Sequence, residues 1–296
     1  MLNGKPISCI QSPETGRGLT FNKLKPPLKK RQILIIGGGP AGMKAATVAA
    51  SRGHEVKLIE ASSKLGGQIN LAEKLPGRSE FGGITTNLAN KLNRQNVEIK
   101  LNTKVSADFV IQEAPEVVIL ATGGRSFEPI IEGRENAHVV TAWQILEGKA
   151  NVGSRVAIAD WRCDWVGLGL AELLARQGCH VRLACNGMVP GQTVNQYVRD
   201  NWLGILHKLN VETLTHLRLH GIDSEDAYFQ HTLSGEPVIL NDVDTLVTAF
   251  GAGSSNTLEK DLKNNFHSKL HVIGDALSPR TVEEAILDGL KTSTAI

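Results

Sequence analysis

The sequence predicts an α/β fold with two domains, each a parallel sheet flanked by helices, the second inserted into the first. A short apolar run, Gln32–Ile36, is followed by a glycine-rich turn, an alanine-rich helical segment and a second strand. A second strand–helix–strand unit begins at Arg155. The 30 glycines among 296 residues exceed the about 21 of an average chain, so backbone freedom is needed at particular places. We therefore expect two Rossmann-like dinucleotide-binding domains.

The other elements continue this alternation of short apolar strands and amphipathic helices. In chain order we predict helix Met43–Arg52, strand Glu55–Glu60, helix Thr86–Arg94, strands Val97–Leu101 and Val117–Ala121, strand Val156–Asp160, helix Leu168–Gln177, strand His180–Ala184, helix Leu203–Leu209, strands Thr245–Phe250 and His271–Ile273, and helix Val282–Leu290. These elements predict an irregular leader over residues 1–31, a nucleotide-binding domain over 32–150 plus 247–296, and an inserted domain over 151–246.

Composition excludes several classes of protein. The 32 Lys and Arg against 30 Asp and Glu leave no broad basic face, so we expect no nucleic-acid partner. The longest apolar stretch, residues 33–50, contains Lys44 and a glycine-rich break, which argues against a membrane span. The cysteines form no C-x-x-C and no metal-type cluster; they are Cys9, Cys163, Cys179 and Cys185. Disulfide scaffolding and a dithiol active site are disfavoured, and we expect a cytoplasmic protein.

The turn at Gly37–Gly42 is a complete G-x-G-x-x-G motif, placed between a predicted strand and a predicted helix. Gly37 allows the tight turn, Gly39 lets backbone N–H groups approach a pyrophosphate, and Gly42 lets helix and strand pack closely. The helix N-terminus supplies partial positive charge. Glu60 ends the second strand, 18 residues past Gly42, where a carboxylate can bind a ribose and would repel a 2′-phosphate. The alternative is a glycine turn without a ligand.

Three later segments add to the predicted site: the glycine loop 64–68, the segment 120–124 after a strand, and Gly274-Asp275 after another strand. With them the chain resembles the flavoproteins that have two dinucleotide-binding domains, in which such a Gly-Asp pair holds the ribityl chain of the flavin. Asp275 could instead serve a turn or a helix N-terminus. The cofactor-binding residues expected on this basis are Gly37, Gly39, Pro40, Ala41, Gly42, Glu60, Gly67, Gln68, Val105, Thr122, Gly123, Gly274, Asp275 and Ala285.

A narrower resemblance covers essentially the whole chain. It is carried by residues 65–72, Pro76-Gly77, Glu80-Phe81, 274–276, Pro279-Arg280 and 285–289. These residues resemble the C-terminal half of the iron–sulfur flavoenzymes related to old yellow enzyme, which include bacterial 2,4-dienoyl-CoA reductase, trimethylamine and dimethylamine dehydrogenases, and N-methylproline demethylase-like proteins. The resemblance implies FAD in the first site, with ADP as the alternative ligand of the same site.

In that family these domains follow an FMN-binding (β/α)₈ barrel and a four-cysteine iron–sulfur segment. Residues 6–17 are similar to the surroundings of the last of the four cysteines, which makes Cys9 the expected cluster ligand; the alternative is a lone thiol in the leader. A 4Fe–4S cluster requires four thiolates, and the resemblance supplies no counterpart here for the other three or for the barrel. We expect the cofactor-binding half of the enzyme, as a fragment, a split-gene product or a subunit.

The motif of the second unit is altered. When Gly167 is aligned with the third glycine, Arg162 and Asp164 stand at the first two glycine positions. Asp164 would bring a side chain and a negative charge to the place where backbone must contact pyrophosphate. Trp161 and Trp165 flank this turn, and they either occupy the dinucleotide cleft or pack in the core. We expect no NAD(P) binding here. The altered motif resembles that of the amine dehydrogenase branch, whose second domain also lacks the glycine motif, whereas the dienoyl-CoA reductase branch keeps an intact motif and is disfavoured.

These observations predict a flavin-dependent oxidoreductase component of the amine-oxidising or N-demethylating type. Its expected partners are an FMN-binding barrel, as subunit or domain, and an electron-transfer flavoprotein; FMN and the 4Fe–4S cluster would come with the barrel part. No catalytic side chain is predicted. Four histidines have no ligand spacing with carboxylates or cysteines, and surface or loop positions explain them better: His207, His216, His220 and His231. The alternatives are a free-standing NAD(P)H-dependent FAD reductase resembling thioredoxin reductase, and a non-enzymatic scaffold that binds ADP.

Overall fold

The computed structural model describes residues 8–21, 24–263, 266 and 268–296. The chain forms two compact units. Unit 1 comprises the described residues up to Glu73 together with Glu80–Arg125 and Ala252–Ile296, and unit 2 comprises Lys74–Ser79 and Ser126–Gly251. Each unit contains a five-stranded parallel sheet, so the predicted fold class, an α/β chain with one domain inserted into the other, is confirmed.

The sheet of unit 1 has the predicted glycine motif at the end of its central strand. Its strands, in spatial order, are Lys269–Val272, Val117–Leu120, Gln32–Ile36, Glu55–Ile59 and Glu98–Lys100. Four of the five residues of the central strand are buried, because helices or loops cover both faces of a parallel sheet. The helices are Gly18–Phe21, Pro40–Ser51, Ile69–Ala72, Gly82–Arg94, Ala107–Glu113, Thr257–Lys263 and Val282–Ala295, with 3₁₀ turns at Ser79–Phe81 and Gly274–Ala276.

The leader packs onto unit 1. Ile10 packs against the core cluster that surrounds the helix Pro40–Ser51. The ammonium of Lys44, almost fully buried on that helix, lies 2.6 Å from the Glu14 carboxylate. Burial raises the pKa of Glu14, but the hydrogen bond to Lys44, a backbone hydrogen bond and the charges of Lys44 and Lys91 together hold that pKa below its usual value. The expectation of an irregular leader missed the short helix Gly18–Phe21, and residues 1–7 lie outside the described residues.

Unit 2 combines a parallel sheet with a smaller antiparallel one. The parallel strands, in spatial order, are Val139–Thr141, Thr245–Ala249, Arg155–Asp160, His180–Cys185 and Glu212–Leu214. The antiparallel strands are Leu217–Ile222, Ala227–His231 and Pro237–Leu240. The helices are Ala142–Glu147, Trp165–Arg176 and Gln196–Lys208, with a 3₁₀ turn at Arg134–Asn136. Two short strands, Gly124–Ser126 and Ala252–Ser254, lie at the unit boundaries along the chain and pair with each other.

The unit boundaries differ from those expected from the sequence. Strand Thr245–Ala249 lies between Arg155–Asp160 and Val139–Thr141 in the sheet of unit 2. Residues 126–150 and 247–251 therefore belong to the inserted unit, whereas the sequence placed them in the first domain. A short buried strand carries no signal for the sheet that it joins, because hydrophobicity reports burial and not pairing.

Among the described residues, no helix has the length and apolar character needed to cross a bilayer.

Candidate dinucleotide site

The turn after the central strand of unit 1 is so tight that two of its positions accept only glycine. Gly37 has φ +111°, and a Cβ there would overlap the Ala121 carbonyl oxygen. A Cβ on Gly42 would overlap the carbonyl oxygen of Gly37. The helix Pro40–Ser51 therefore starts directly against the end of the strand, which places the helix N-terminus at the carboxyl edge of the sheet.

Gly39 leaves open space in front of this helix. It is the N-cap residue, in an extended conformation, and a Cβ built on it would meet no atom within 4 Å. Pro40 has no N–H, and the first backbone bond of the helix runs from Met43 N–H to Gly39 O, at 2.9 Å. The N–H groups of Ala41 and Gly42 thus belong to the first turn, whose donors have no partner within the helix and point out of its N-terminal end. This arrangement can bind an anion.

Glu60 lies beside the same turn. One carboxylate oxygen accepts a hydrogen bond from Gly38 N–H at 2.6 Å, and the other accepts one from Ser62 N–H at 2.7 Å. The backbone N–H of Glu60 donates to Lys100 O at 2.9 Å, which fixes this residue at the end of its strand. The carboxylate is therefore held beside the glycine turn by two backbone N–H groups, and its contact with a ribose stays a prediction.

The second glycine loop covers the first. Gly66, with φ +115°, donates its N–H to Gly38 O at 2.9 Å. A Cβ on Gly67, with φ +53°, would stand 3.2 Å from Cα of Gly39. The backbone of the first turn and that of the second loop thus both border the open space at Gly39. Both can lie this close because the residues concerned are glycines.

Asp275 is joined to this loop. Gln68 Nε2 donates to one carboxylate oxygen of Asp275 at 2.8 Å, and Arg280 N–H donates to the other at 3.1 Å. Gly274 has φ +62°, and a Cβ there would lie 2.8 Å from Cβ of Ala41 and 3.7 Å from Cβ of Ala285. The helix Val282–Ala295 has Thr281 as its N-cap, so capping that helix is not the role of Asp275.

Thr122 and Gly123 border the site, and Val105 packs at the neighbouring strand. Thr122 N would lie 3.1 Å from a Cβ on Gly37, and its hydroxyl donates to Ser255 O at 2.6 Å. Gly123 has φ +72°. Val105 packs against a core cluster that includes the strand residues Ile36 and Ile59. The structure thus brings together, through direct contacts, the predicted residues of the two glycine turns, Glu60 and the Gly-Asp pair.

Cys9 is half-buried and carries a free thiol. Within the described ranges, no three His, Cys, Asp or Glu side chains are grouped so that they could hold a metal ion. Its expected role as an iron–sulfur ligand therefore stays a prediction that depends on cysteines from elsewhere.

The corresponding turn of unit 2 is filled by carboxylates. Asp164 is the N-cap of the helix Trp165–Arg176, and its carboxylate accepts the Val166 N–H at 2.9 Å. Asp160 Oδ1 accepts the N–H of Cys163 at 2.9 Å, and its Oδ2 would overlap a Cβ on Gly167. Burial raises the pKa of Asp160 well above its usual range, and the neighbouring Asp164 raises it further. The Val166 N–H at the start of the helix is thus bonded to Asp164, and the space beside Gly167 is occupied by Asp160.

The two tryptophans of this turn pack within unit 2. The ring of Trp161 stacks on Phe250, with 5.9 Å between ring centroids, and remains 44% exposed. The ring of Trp165 lies under the Arg78 guanidinium, 3.7 Å from the ring centroid, and contacts Trp202 in a tilted arrangement. Trp165 therefore packs within the unit, which is the second of the two positions that the sequence suggested for it.

Sequence reasoning did not pair the thiols of Cys163 and Cys185, which the structure places on either side of Gly187. Gly187 N–H donates to the Cys163 sulfur at 3.2 Å, and the Cys185 thiol lies 3.5 Å from Gly187 O. The signal was available: Cys185 ends a strand and Cys163 follows the neighbouring parallel strand. The carboxyl ends of neighbouring parallel strands meet at one edge of the sheet.

Residues 31–277 match the protein family described as pyridine nucleotide-disulphide oxidoreductase. A curated relative, N,N-dimethylglycine/sarcosine dehydrogenase of Chromohalobacter salexigens, is 31% identical over 97% of this chain and 47% of its own length. The probable N-methylproline demethylase of Rhizobium meliloti is 30% identical over 97% of this chain and 47% of its own length. This chain therefore spans just under half of the curated relatives that it matches.

A solved structure of 2-naphthoyl-CoA reductase in complex with 2-naphthoyl-CoA superposes on 98% of this chain and 43% of its own, with a TM-score of 0.89 and 30% identity. The resemblance inferred from the sequence is confirmed by these matches.

Proposed function

Because this chain belongs to the pyridine nucleotide-disulphide oxidoreductase family, we propose that unit 1 binds FAD. We further propose that the chain is the cofactor-binding, electron-transferring half of an iron–sulfur flavoenzyme that oxidises or demethylates amines. Family and relatives make the chain a flavin oxidoreductase domain related to amine dehydrogenases and demethylases. The observation that carries the site is the open space at Gly39, which lies between the helix N-terminus, Glu60 and the loop bonded to Asp275.

The adenosine diphosphate half of FAD fits the first part of this site. The N–H groups of the first helical turn would receive the pyrophosphate, and the Glu60 carboxylate would accept hydrogen bonds from ribose hydroxyls. ADP alone would satisfy both contacts. The pair of Gln68 and Asp275 adds polar groups beside the second glycine loop, where a ligand longer than ADP would extend. This pair supports FAD over ADP.

In this proposal the substrate reacts at an FMN that is bound in a barrel. The barrel and the iron–sulfur segment are either another part of the polypeptide or another subunit. The relatives support this division, since this chain corresponds to 47% of their length. The protein part supplies binding and orientation, and the flavin supplies the electron transfer when it is bound. Four free cysteines fit a reducing compartment such as the cytoplasm.

The test is a visible absorption spectrum of the purified chain, followed by chromatography of the nucleotide released on denaturation. We expect flavin absorption and FAD, together with no turnover of N,N-dimethylglycine, sarcosine or N-methylproline. A colourless protein that releases ADP would contradict FAD binding and favour a nucleotide-holding scaffold. Oxidation of any of these amines by the pure chain would contradict the assignment of substrate chemistry to a separate FMN barrel.

A further inference from the structure

We propose that Cys163 and Cys185 form an oxidisable thiol pair in unit 2, which hydrogen peroxide converts to an intramolecular disulfide. The pair lies at the turn where a second dinucleotide would have bound. It is outside the proposed FAD site and does not depend on it.

The backbone brings the two thiols together. Asp160 and Cys185 are opposite each other in neighbouring parallel strands, and Asn186 N–H donates to Asp160 O at 3.0 Å. Cys163 follows three residues after Asp160, in a left-handed conformation with φ +49°, which turns the chain back over the strand end. Both sulfurs contact the same residue, Gly187, one at its N–H and the other at its carbonyl oxygen.

The surroundings distinguish the two thiols. The neighbouring Cys185 thiol, together with the N–H groups of Gly187 and Asn186, lowers the pKa of Cys163 to about 7 against the effect of burial. The same contact and burial raise the pKa of Cys185. Two carboxyl groups face the pair: the charge of Asp164 raises the pKa of Cys163, and that of Asp160 raises the pKa of Cys185. Cys163 is therefore the nucleophile, and Cys185 keeps its proton.

The reaction has two steps. The Cys163 thiolate attacks one oxygen of hydrogen peroxide, the O–O bond breaks, and hydroxide leaves, so that Cys163 becomes a sulfenic acid. The Cys185 sulfur then attacks the sulfenic sulfur, the S–O bond breaks, and the oxygen leaves as water with the Cys185 proton. Two electrons pass from the thiols to the peroxide. A dithiol reductant returns them by exchange.

Burial restricts the oxidant. Cys163 is 4% exposed and Cys185 is fully buried, so a small uncharged oxidant is required, and a bulky disulfide reagent would react slowly. Cys179 lies elsewhere in the unit, and its pKa is raised by burial and by Asp244. In the unaltered chain it is the matched control: its thiol contacts Gly153 O and not another cysteine, so it should be recovered as an alkylated thiol after peroxide treatment.

The experiment uses the full chain carrying Cys9→Ser and Cys179→Ser, which leaves only the pair. After peroxide treatment, denaturation and alkylation, peptide mass mapping should find the peptides of Cys163 and Cys185 cross-linked with the loss of two hydrogen atoms. The rate should rise about tenfold between about pH 6 and about pH 8, as the thiolate of Cys163 forms. Cys185→Ser should stop at a sulfenic acid that dimedone labels on Cys163.

The unaltered chain is mapped in parallel, so the result does not depend on how well the variants fold. Recovery of both residues as alkylated thiols after peroxide treatment would overturn the proposal. A cross-link that forms only in unfolded protein, or at a rate independent of pH, would overturn it as well.

Discussion

Gly39 and Asp164 hold the same position in two similar turns, and the difference between them decides what each turn can bind. Each residue is the N-cap of a long helix that follows a buried strand. At Gly39 the space in front of the helix is open. At Asp164 a carboxylate accepts the Val166 N–H, so the donor is satisfied and the local charge is negative.

Gly39→Asp should therefore abolish nucleotide retention without unfolding the chain. The backbone of Gly39 is extended and a Cβ there meets no neighbour, so an aspartate fits and can cap the helix, leaving the stability of the nucleotide-free chain within about 0.5 kcal/mol. Its carboxylate at about 4 Å from a phosphate charge is repelled by about 4 kcal/mol, about a thousandfold in affinity. The measurement is bound nucleotide per chain, with urea unfolding of the stripped protein.

The control for that substitution is Gly204→Asp, on the exposed face of the helix Gln196–Lys208 in unit 2. It adds the same charge far along the chain from the glycine motif and should leave nucleotide content unchanged. Wild-type occupancy in Gly39→Asp would refute the pyrophosphate assignment in unit 1 and, with it, the explanation of the altered turn around Asp164.

The helix pair of unit 1 shows how a single small residue sets the packing of whole elements. Helix Val282–Ala295 packs against helix Pro40–Ser51, and a Cβ on Gly289 would lie 2.5 Å from Ala41 O and 2.9 Å from Ala45 N. The Ser293 hydroxyl donates to Ala45 O at 2.9 Å. Both contacts require the two helix backbones to lie close together, and the small residues Gly289, Ala41 and Ala45 permit this.

Alanine at two helical glycines should therefore have opposite effects. Gly289→Ala should destabilise the chain by about 1–3 kcal/mol, since its methyl group meets backbone atoms that cannot move independently. Gly204→Ala should stabilise it by up to about 1 kcal/mol, because nothing lies within 4 Å of that Cβ and alanine favours helix. Urea unfolding of both variants checks this, and equal effects would contradict the packing described here.

Sequence patterns located the buried elements better than the half-exposed ones. Strands such as Gln32–Ile36 and Val117–Leu120 are buried along their whole apolar run, so hydrophobicity marks their positions. The helix Gln196–Lys208 begins seven residues before the predicted Leu203, because only Trp202 and Leu206 are buried on it. The antiparallel sheet over residues 217–240 was missed for the same reason, as only three of six residues in Leu217–Ile222 and two of five in Ala227–His231 are buried.

At the scale of the whole molecule, one architecture occurs twice with two different uses. Both units have a parallel sheet, a strand-to-helix turn and a buried helix next to it. In unit 1 glycines keep the turn accessible to a ligand. In unit 2 Asp160, Asp164 and the thiol pair fill it. We therefore propose that the inserted unit keeps the fold without binding a dinucleotide.

This predicts that neither NADH nor NADPH reduces the bound flavin at a saturable rate. A pyrophosphate would have to displace the carboxylate of Asp164 from the helix N-terminus and tolerate its charge. Stopped-flow bleaching of the flavin is the measurement, with dithionite as the control that the flavin can be reduced. Fast bleaching with a hyperbolic dependence on NADPH would support a free-standing reductase instead.

The sequence by itself determined the fold class, the first glycine turn and its acidic partner Glu60, because these depend on local burial patterns and on short spacings such as Gly37–Gly42. The tertiary structure alone decided which sheet Thr245–Ala249 joins, that Asp275 bonds to Gln68, and that Cys163 and Cys185 both contact Gly187. Those pairings join residues far apart in the chain, and they follow from strand order and helix packing, which no local pattern encodes.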